Sequence, residues 1–231
     1  PIALNGEKMS ALLRGFVDRV DAWEENGQLY FRVVDYKTGK KDFDYCDIYN
    51  GLGLQMLLYM FALEEVGQER LGDHAVAAGV QYFSARVPIV SADGRPNADT
   101  TEKDREKLWK RKGLLLADDA VLAAMDSTET LKRLCCAKKK DGTLSGDLAD
   151  YRQMELLKRY VFALLGKMID DVSSGCVDPN PYTRGTRHNA CAFCPYSAIC
   201  RESAENGRRD YAAMSAEQFW NEIEKEGTVR G

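Results

Sequence analysis

The sequence predicts an α/β fold: a small mixed β-sheet flanked by helices and followed by a cysteine-rich lobe. Three observations predict it. Two Asn-Gly hairpin signals divide residues 1–37 into strands. Residues 50–66 and 147–174 repeat apolar side chains at helical spacing. Three of the seven cysteines crowd between positions 191 and 200, which favours metal binding over disulfides in a cytosolic protein.

Strand and helix patterns follow one another along the chain, as a mixed α/β fold requires. The predicted elements are, in order, strands over residues 1–37 with turns at Asn5-Gly6 and Asn26-Gly27, a helix over 50–66 that Gly67 ends, one or two strands over 75–91, helices over 101–112 and 118–125, a strand and turn over 130–144, a long helix over 147–174 that Gly175 ends, and a last helix from Ser215 to about Glu226. Capping boxes are expected at Thr101–Asp104 and Ser215–Gln218. We expect two domains: residues 1–178, with a helical insertion at about 101–126, and residues 179–231.

The composition is that of a soluble globular protein. Of the 231 residues, 45% are hydrophobic and 29% are charged, and no apolar run approaches the roughly 20 residues of a membrane span. No signal peptide is visible, so we expect a cytoplasmic protein. The opening at Pro1, without an initiator methionine, indicates a segment of a longer protein. The net charge of −4 is unusual for a stand-alone nucleic-acid binder, so DNA contact would depend on local basic patches or on a partner.

The hairpin around Asn26-Gly27 is the most informative stretch. With the turn at these two residues, the numbers of facing residues sum to 53, so Asp18 lies across from Asp35. Opposed side chains in an antiparallel pair have Cβ atoms about 4.5–5.5 Å apart. Because side chains alternate between faces, Lys37 shares a face with Asp35. The register therefore predicts two carboxylates and one ammonium group together.

The neighbours of these acids on the predicted face are apolar. They are Phe16, Val20, Ala22, Leu29, Phe31 and Val33. Two carboxylates in such surroundings repel each other and lose hydration, and a bound divalent cation would offset both effects. Mg²⁺ is commonly held by one or two carboxylates together with water and substrate phosphate. Beside it, Lys37 could orient the attacking water and stabilise the transition state of phosphodiester hydrolysis.

A structural interpretation competes with this catalytic one. Asp18, Asp35 and Lys37 could simply form a surface salt-bridge cluster. On the same register, Asp21 faces Arg32 on the opposite side of the hairpin, where we expect a structural ion pair that does not belong to the site.

Three motifs in this order resemble the nuclease domain of the RecB family, within the PD-(D/E)XK superfamily. They are GFVDRVD over residues 15–21, VVDYKTGK over 33–40 and GLGLQMLLYMFAL over 51–63. The resemblance implies a restriction-endonuclease-like fold in which Asp18 and Asp35 bind the metal. It also implies that the backbone carbonyl of Tyr36 is a further ligand and that Lys37 is the catalytic lysine.

The resemblance extends to a Q-x-x-x-Y motif, matched here by Gln55 and Tyr59. Their i, i+4 spacing puts both on one helix face, where they could reach the site or the DNA. Core packing is an equally good interpretation of Tyr59. Residues 1–14 hold no clear match to the His or Glu that some relatives place upstream of the first aspartate.

The cysteine segment has Cys191, Cys194 and Cys200 in a C-x2-C-x5-C arrangement. Three thiolates do not complete a four-coordinate site, and two completions compete. His188 could complete a zinc site, because zinc accepts imidazole and thiolate ligands together. Alternatively, a fourth cysteine elsewhere could complete a [4Fe-4S] cluster.

A second resemblance covers most of the remaining chain. RKGLLLADDAVLAAMD over residues 111–126, KKKDGTL over 138–144 and the cysteine segment with its preceding NPYTRGTRHNA look like the C-terminal region of the AddB family of helicase–nuclease subunits. The resemblance implies a [4Fe-4S] cluster whose fourth cysteine lies upstream of the nuclease domain. Residues 1–45 contain no cysteine, so we expect an incomplete cluster in this chain.

The sequence therefore predicts an Mg²⁺-dependent exonuclease domain. By resemblance, it would cut single-stranded DNA unwound by an AddA-type partner complex that processes double-strand breaks, and specifically the 5′-terminated strand. The alternatives are a stand-alone CRISPR-associated RecB-like exonuclease and a catalytically dead DNA-binding or assembly module.

Overall fold

The computed structural model describes residues 2–39, 41–67, 75–86, 98–178, 180–185, 188–200 and 208–229. The chain divides into two compact units. Unit 1 comprises Pro1–Ile2, Leu13–Phe43 and Leu54–Val161, and unit 2 comprises Ala3–Leu12, Asp44–Gly53 and Phe162–Gly231. The division into domains after residue 178 stays a prediction. No helix within the described ranges is long and apolar enough to cross a membrane.

Unit 1 is built on a five-stranded mixed sheet. Its strands, in spatial order, are β3 (Arg19–Glu25), β4 (Gln28–Lys37), β5 (Val76–Ser84), β6 (Lys112–Leu116) and β9 (Leu148–Ala149). The β3–β4 and β5–β6 pairs are antiparallel, whereas the β4–β5 and β6–β9 pairs are parallel. The predicted mixed sheet is confirmed, with β4 and β5 inside it and β3 at one edge.

The hairpin of β3 and β4 has the predicted register. Facing pairs run from Arg19 and Val34 at the open end to Glu25 and Gln28 beside the turn, and their numbers sum to 53 throughout. The turn residues Asn26 and Gly27 have φ values of 52° and 79°. Positive φ at both positions characterises the two-residue turns that match strand twist, and Asn-Gly is their preferred pair.

The core of unit 1 lies between its central strands and its helices. Strands β4, β5 and β6 contribute side chains with no solvent exposure, among them Phe31, Val33, Val80 and Leu114. Helix α2 (Gln55–Val66) contacts both β4 and β5 and buries its own apolar residues against them. As predicted, the helix ends at Gly67, whose N–H donates to the Leu63 carbonyl at 2.7 Å. Residues 50–54 precede this helix rather than belonging to it.

The other helices of unit 1 differ from the prediction at their starts. Helix α3 (Ala98–Trp109) begins before Thr101, so the predicted Thr101–Asp104 capping box is wrong. Helix α4 (Asp119–Met125) begins one residue later than predicted, because Asp118 is its N-cap and its side chain accepts hydrogen bonds from the N–H groups of Ala120 and Val121. Strand β6 lies between α3 and α4, so the stretch 101–126 is not wholly helical. A hairpin of β7 (Cys136–Lys138) and β8 (Leu144–Gly146) follows.

The long helix α5 (Tyr151–Ser173) begins four residues later than predicted. Leu148, which the predicted helix over residues 147–174 included, lies instead in strand β9. The cause is a capping box that the sequence analysis missed. The N–H of Gln153 donates to Asp150 Oδ1 at 2.7 Å, and the Asp150 N–H donates to Gln153 Oε1 at 2.9 Å.

Unit 2 contains most of a two-stranded sheet, β1 (Ile2–Asn5) and β2 (Ser10–Leu13), and a three-stranded sheet. The latter consists of β10 (Tyr182–Arg184), β11 (His188–Asn189) and β12 (Arg209–Asp210). Its helices are α1 (Tyr45–Tyr49), the second half of α5, α6 (Ser197–Cys200) and α7 (Ala216–Val229). The predicted capping box of α7 is confirmed: Ser215 N–H donates to Gln218 Oε1 at 2.9 Å, and Gln218 N–H donates to Ser215 Oγ at 3.2 Å.

The hairpin turn offers a test of what sets the register. A Cβ atom on Gly27 would meet no atom within 4 Å, so only the positive φ resists a larger residue there. We expect Gly27→Ala to lower the free energy of unfolding by about 1–2 kcal/mol, the cost of left-handed backbone for an L-residue. Urea unfolding measures it, with Gly27→Asn as the control because Asn tolerates this conformation better. Equal losses in both variants would contradict this explanation.

Candidate active site

Asp35 lies near the carboxyl end of the buried strand β4. Its side chain is buried, and Lys37 Nζ lies 2.7 Å from its Oδ2. The predicted sharing of one face by these two residues is therefore confirmed. The contact is an ion pair without hydrogen-bond geometry, and Oδ2 accepts no hydrogen bond from the part of the chain that the structure describes. A buried carboxylate oxygen in this state is costly, and a bound cation would satisfy it.

The buried charge of Asp35 also affects a tyrosine on the neighbouring strand. Tyr82 of β5 is the register partner of Asp35. Burial first, and then the negative charge of Asp35, raise the pKa of Tyr82 to about 12. Its phenol stays protonated at neutral pH, so Tyr82 adds no negative charge beside the carboxylate.

Asp18 approaches β4 from the adjacent segment. It lies one residue before β3, and its Oδ2 accepts a hydrogen bond from the backbone N–H of Tyr36 at 3.3 Å. The N–H and C=O of one strand residue point to the same side. The Tyr36 carbonyl is therefore directed toward the side on which Asp18 lies. Carboxylate and carbonyl oxygens are the ligand types that Mg²⁺ prefers.

The predicted apolar surroundings of Asp18 are wrong. Asp18 and Ala22 are exposed, and Phe16 is 94% exposed rather than part of an apolar face. The physical reason is that strand pairing ends at Arg19 and β3 is an edge strand, so within the described residues no neighbouring strand covers the segment before it. Only Asp35 occupies the buried, weakly hydrated environment that was expected for both acids.

Helix α2 contributes the predicted Gln55 and Tyr59 pair. Gln55 Nε2 donates to the Tyr59 hydroxyl at 3.0 Å, which confirms that both lie on one face of the helix. Gln55 is exposed and Tyr59 is half-buried. A Cβ atom on Gly15 would lie 2.6 Å from Tyr59 Cε1, so the ring packs directly on the segment that leads to Asp18. Tyr59 therefore packs against its neighbours and also lies beside the candidate site, so the two interpretations of this residue are compatible.

The opposite face of the hairpin carries the predicted structural ion pair. Arg32 Nε and Nη2 donate to Asp21 Oδ2 at 3.0 and 2.9 Å. Two further partners of this ion pair were not predicted: Arg19 Nε donates to Asp21 Oδ1 at 2.5 Å, and Arg32 Nη1 donates to Gln81 Oε1 at 2.8 Å. Arg19 and Gln81 could have been predicted as partners, because both are polar residues at strand positions beside a buried arginine.

The cysteines do not assemble a metal site among the described residues. No group of three or more His, Cys, Asp or Glu side chains there is arranged to hold a metal ion. Cys191 and Cys194 are half-buried, Cys200 is exposed, and the Cys194 N–H donates to the Cys191 carbonyl at 3.2 Å. The described cysteine segment, with His188, therefore fits neither the zinc site nor the cluster as it stands. The cysteine-rich lobe stays a prediction.

The two cysteines of unit 1, Cys135 and Cys136, are core residues. Cys135 and Cys136 pack with Leu115, Leu122 and Leu134 in a buried apolar cluster. Burial raises the pKa of the Cys135 thiol far above its usual range and that of Cys136 to about 11. Neutral thiols in such surroundings are poor metal ligands.

The sequence match decides the family. Residues 2–201 match the family model described as the PD-(D/E)XK nuclease superfamily. The chain belongs to this superfamily. The mixed sheet flanked by helices is accordingly the restriction-endonuclease-like fold of PD-(D/E)XK nucleases.

Curated relatives of this PD-(D/E)XK chain carry a common name. The B subunit of the ATP-dependent helicase/deoxyribonuclease of Oceanobacillus iheyensis is 33% identical over 228 residues, which is 95% of this chain and 20% of that protein. The B subunits from Clostridium kluyveri and Acetivibrio thermocellus are 34% and 36% identical over 95% and 85% of the chain. The chain spans about a fifth of the length of these relatives, 20% of the first two and 17% of the third.

The ion pair behind the site should make folding sensitive to acid. Burial would raise the pKa of Asp21, but hydrogen bonds from Arg19 and Arg32 outweigh it and lower this pKa below 3.8. A lowered folded-state pKa gives stability that is present above the unfolded value and lost as the pH falls through the folded value. We expect Asp21→Asn to lower the free energy of unfolding by about 2–3 kcal/mol at neutral pH, because Arg32 is buried.

Urea unfolding of both proteins between about pH 7 and pH 3 measures this coupling. The difference between the two proteins should narrow as the pH falls below about 4, because the unfolded chain then binds a proton at Asp21 more readily than the native chain does. Glu24→Gln, which removes an exposed acid from the same strand, is the control. A difference that stays constant over the whole range would contradict the assigned role of Asp21.

Proposed function

We propose that this chain hydrolyses phosphodiester bonds of DNA in an Mg²⁺-dependent reaction. Asp18, Asp35 and the carbonyl of Tyr36 would hold the metal, and Lys37 would be the catalytic lysine. The observation that carries the proposal is the buried Asp35 carboxylate with the Lys37 ammonium 2.7 Å away. Membership of a nuclease superfamily supports the same reaction.

The chain contributes position and charge to this reaction. Strand β4 fixes Asp35 and Lys37 on one face, so neither has to move far to meet a phosphate group. The Lys37 ammonium would orient an attacking water molecule and place positive charge beside the phosphoryl oxygens. Bound Mg²⁺ supplies a Lewis acid and makes a coordinated water easier to deprotonate.

Gln55 would contact the DNA beside the metal ligands. Its amide is exposed on α2, and its Nε2 donates to the Tyr59 hydroxyl, which leaves the amide oxygen of Gln55 facing away from that bond. Tyr59 is a positioning residue, because its ring packs on Gly15 and its hydroxyl orients Gln55. A hydrogen-bonding side chain in this place would hold a nucleotide in register with the scissile bond.

The relatives suggest the biological setting. Their name, which describes the B component of an ATP-dependent helicase/deoxyribonuclease, supports a nuclease domain that receives unwound DNA from helicase motors. We infer an exonuclease acting on the 5′-terminated single strand, an AddA-type partner protein, and a role in recombinational repair of double-strand breaks in the cytoplasm.

The iron–sulfur cluster of the AddB resemblance remains a separate proposal. Cys191, Cys194 and Cys200 would supply three thiolates to a [4Fe-4S] cluster that takes four. Such a cluster would tie the polypeptide together and contribute to folding, and no step of the reaction depends on it. Iron and sulfide analysis of a protein of the relatives' length that contains this chain tests it, with Cys191→Ala expected to lower both contents.

Single substitutions at the proposed site test the reaction. Asp35→Asn and Lys37→Ala should each lower Mg²⁺-dependent cleavage of single-stranded DNA by at least about 100-fold, because each removes a charge positioned for the transition state. Lys41→Ala, which removes an exposed lysine four residues along, should cleave at the native rate. Calorimetric titration with Mn²⁺ should show binding lost in Asp35→Asn and kept in Lys37→Ala.

Two results would overturn this proposal. Cleavage by Lys37→Ala at the native rate would remove the catalytic role of the lysine. Failure of a protein of the relatives' length, together with its AddA-type partner, to cleave DNA at any Mg²⁺ concentration would instead indicate a catalytically dead DNA-binding or assembly module.

A further inference from the structure

Unit 1 contains a cavity that the proposed reaction does not use. It has a volume of about 590 Å³ and lies where β5 ends, beside α3 and the segment after α4. Phe83, Arg105, Trp109, Arg111, Lys132 and Arg133 line it together with four smaller or acidic residues. We refer to it as the arginine pocket. Its volume is within the range of small-ligand sites, about 300–1,000 Å³.

The pocket lies on the other face of the sheet from Asp35. Tyr82 pairs with Asp35 in the β4–β5 register, and Phe83 pairs with Tyr36. Because side chains alternate between faces, Phe83 points away from the face that carries Asp35 and Lys37. The arginine pocket and the candidate active site therefore occupy opposite faces at the same ends of these two strands.

The walls of the pocket carry uncompensated positive charge. Four basic residues line it against two acids, Glu102 and Glu106, although the whole chain has a net charge of −4. Lys132 Nζ lies 3.4 Å from Glu106 Oε1. Within the described ranges, none of the three guanidinium groups has a carboxylate at ion-pair distance. A ligand that brings negative charge is the complement of this arrangement.

Arg111 packs on an aromatic ring. Its guanidinium carbon lies 4.0 Å above the centre of the Phe83 ring, a cation–π contact that holds the group in place. Burial, followed by repulsion from Arg32, lowers the pKa of Arg111, although Asp126 acts in the opposite direction. A phosphate at this position would relieve that repulsion.

Trp109 adds an aromatic surface at the end of α3. Its side chain lines the pocket and the residue is 44% exposed, which leaves ring surface available to a ligand. Stacking of a nucleobase on an exposed aromatic ring is worth about 1–3 kcal/mol and tolerates any base. Grooves that bind single-stranded nucleic acid combine basic side chains that contact the phosphates with aromatic rings on which the bases stack.

We propose that the arginine pocket binds single-stranded DNA, with phosphates on Arg105, Arg111 and Arg133 and an unstacked base against Trp109. The choice of DNA as the ligand rests on the proposed function. The site itself is separate from the cleavage site, so a strand could be held here while its end is cut on the other face.

Binding without cleavage tests the pocket. Fluorescence anisotropy of a labelled oligothymidylate, with EDTA present to remove divalent metals, measures affinity at several salt concentrations. The double variant R105Q/R133Q changes two exposed side chains, so folding should be kept, whereas Arg111 is half-buried and is left intact. K139Q/K140Q removes the same charge from the exposed β7–β8 turn of unit 1 and is the matched control.

We expect R105Q/R133Q to bind about tenfold more weakly than the native chain, which corresponds to about 1.4 kcal/mol. The slope of log affinity against log salt should become shallower by about 1.4, since each lost phosphate contact on a single strand contributes about 0.7. K139Q/K140Q should change neither quantity appreciably. Trp109→Ala should weaken binding of the oligothymidylate but not of an abasic strand of equal length, and Trp109→Phe should restore it.

If R105Q/R133Q and K139Q/K140Q bind the oligothymidylate with equal affinity, the proposal that the arginine pocket binds single-stranded DNA is overturned. So would displacement of the oligonucleotide by a polyglutamate peptide at equal charge concentration, because that would indicate an acidic protein segment as the ligand. Cleavage is scored separately: a chain that binds through the pocket but cleaves nothing contradicts the proposed function alone. If R105Q/R133Q cleaves DNA and also binds the oligothymidylate as tightly as the native chain does, the proposed binding pocket is contradicted and the proposed function is not.

Discussion

The buried charge of Asp35 is the constraint on which the candidate site depends. Strand β4 is an inner strand of the sheet, so a carboxylate near its end loses hydration that only other charges can replace. Lys37 replaces part of it, from two residues further along the same face. One carboxylate oxygen remains without a hydrogen bond among the described residues. Asp18 is exposed, so its negative charge adds nothing to the desolvation cost of Asp35.

Because side chains alternate between the two faces of β4, this strand carries the candidate site on one face and a structural ion pair on the other. On one face, β4 presents Asp35 and Lys37. On the other face, Arg32 is fixed by Asp21 and by Gln81 of the next strand, which ties three strands together. Arg19, directly after Asp18, bonds both Asp21 and the hydroxyl of Tyr36, at 2.5 and 3.0 Å. This network stabilises the register at the point where pairing ends, and that register decides where the Asp18 carboxylate meets β4.

The sequence predicted the hairpin well because its register has a local cause. Asn26-Gly27 sets the turn, and the facing pairs from Arg19 and Val34 to Glu25 and Gln28 then follow by counting, whereas the predicted pairing of Asp18 with Asp35 lies just beyond the end of the ladder. The environment of Asp18 was not predictable in this way, because burial depends on which neighbouring elements cover a segment and on where pairing stops. The same distinction explains Leu148: its spacing fits a helix, but a capping box at Asp150 and pairing of β9 with β6 decide otherwise. The arginine pocket joins residues from three distant segments, which no local pattern reveals.

A polyanionic substrate poses an electrostatic problem for a chain with net negative charge. The two aspartates at the candidate active site repel phosphates, and only a cation reverses the sign there. A cluster of positive charge lies on the far face of the sheet, where Arg111 lies over the Phe83 ring and Arg105 and Arg133 have no carboxylate at ion-pair distance in the described part of the chain. Separating attraction from catalysis has a physical advantage. Under the proposed function, arginines next to the aspartates would compete with the metal for the carboxylate oxygens, whereas arginines behind the sheet would raise the local concentration of DNA without neutralising the proposed metal ligands.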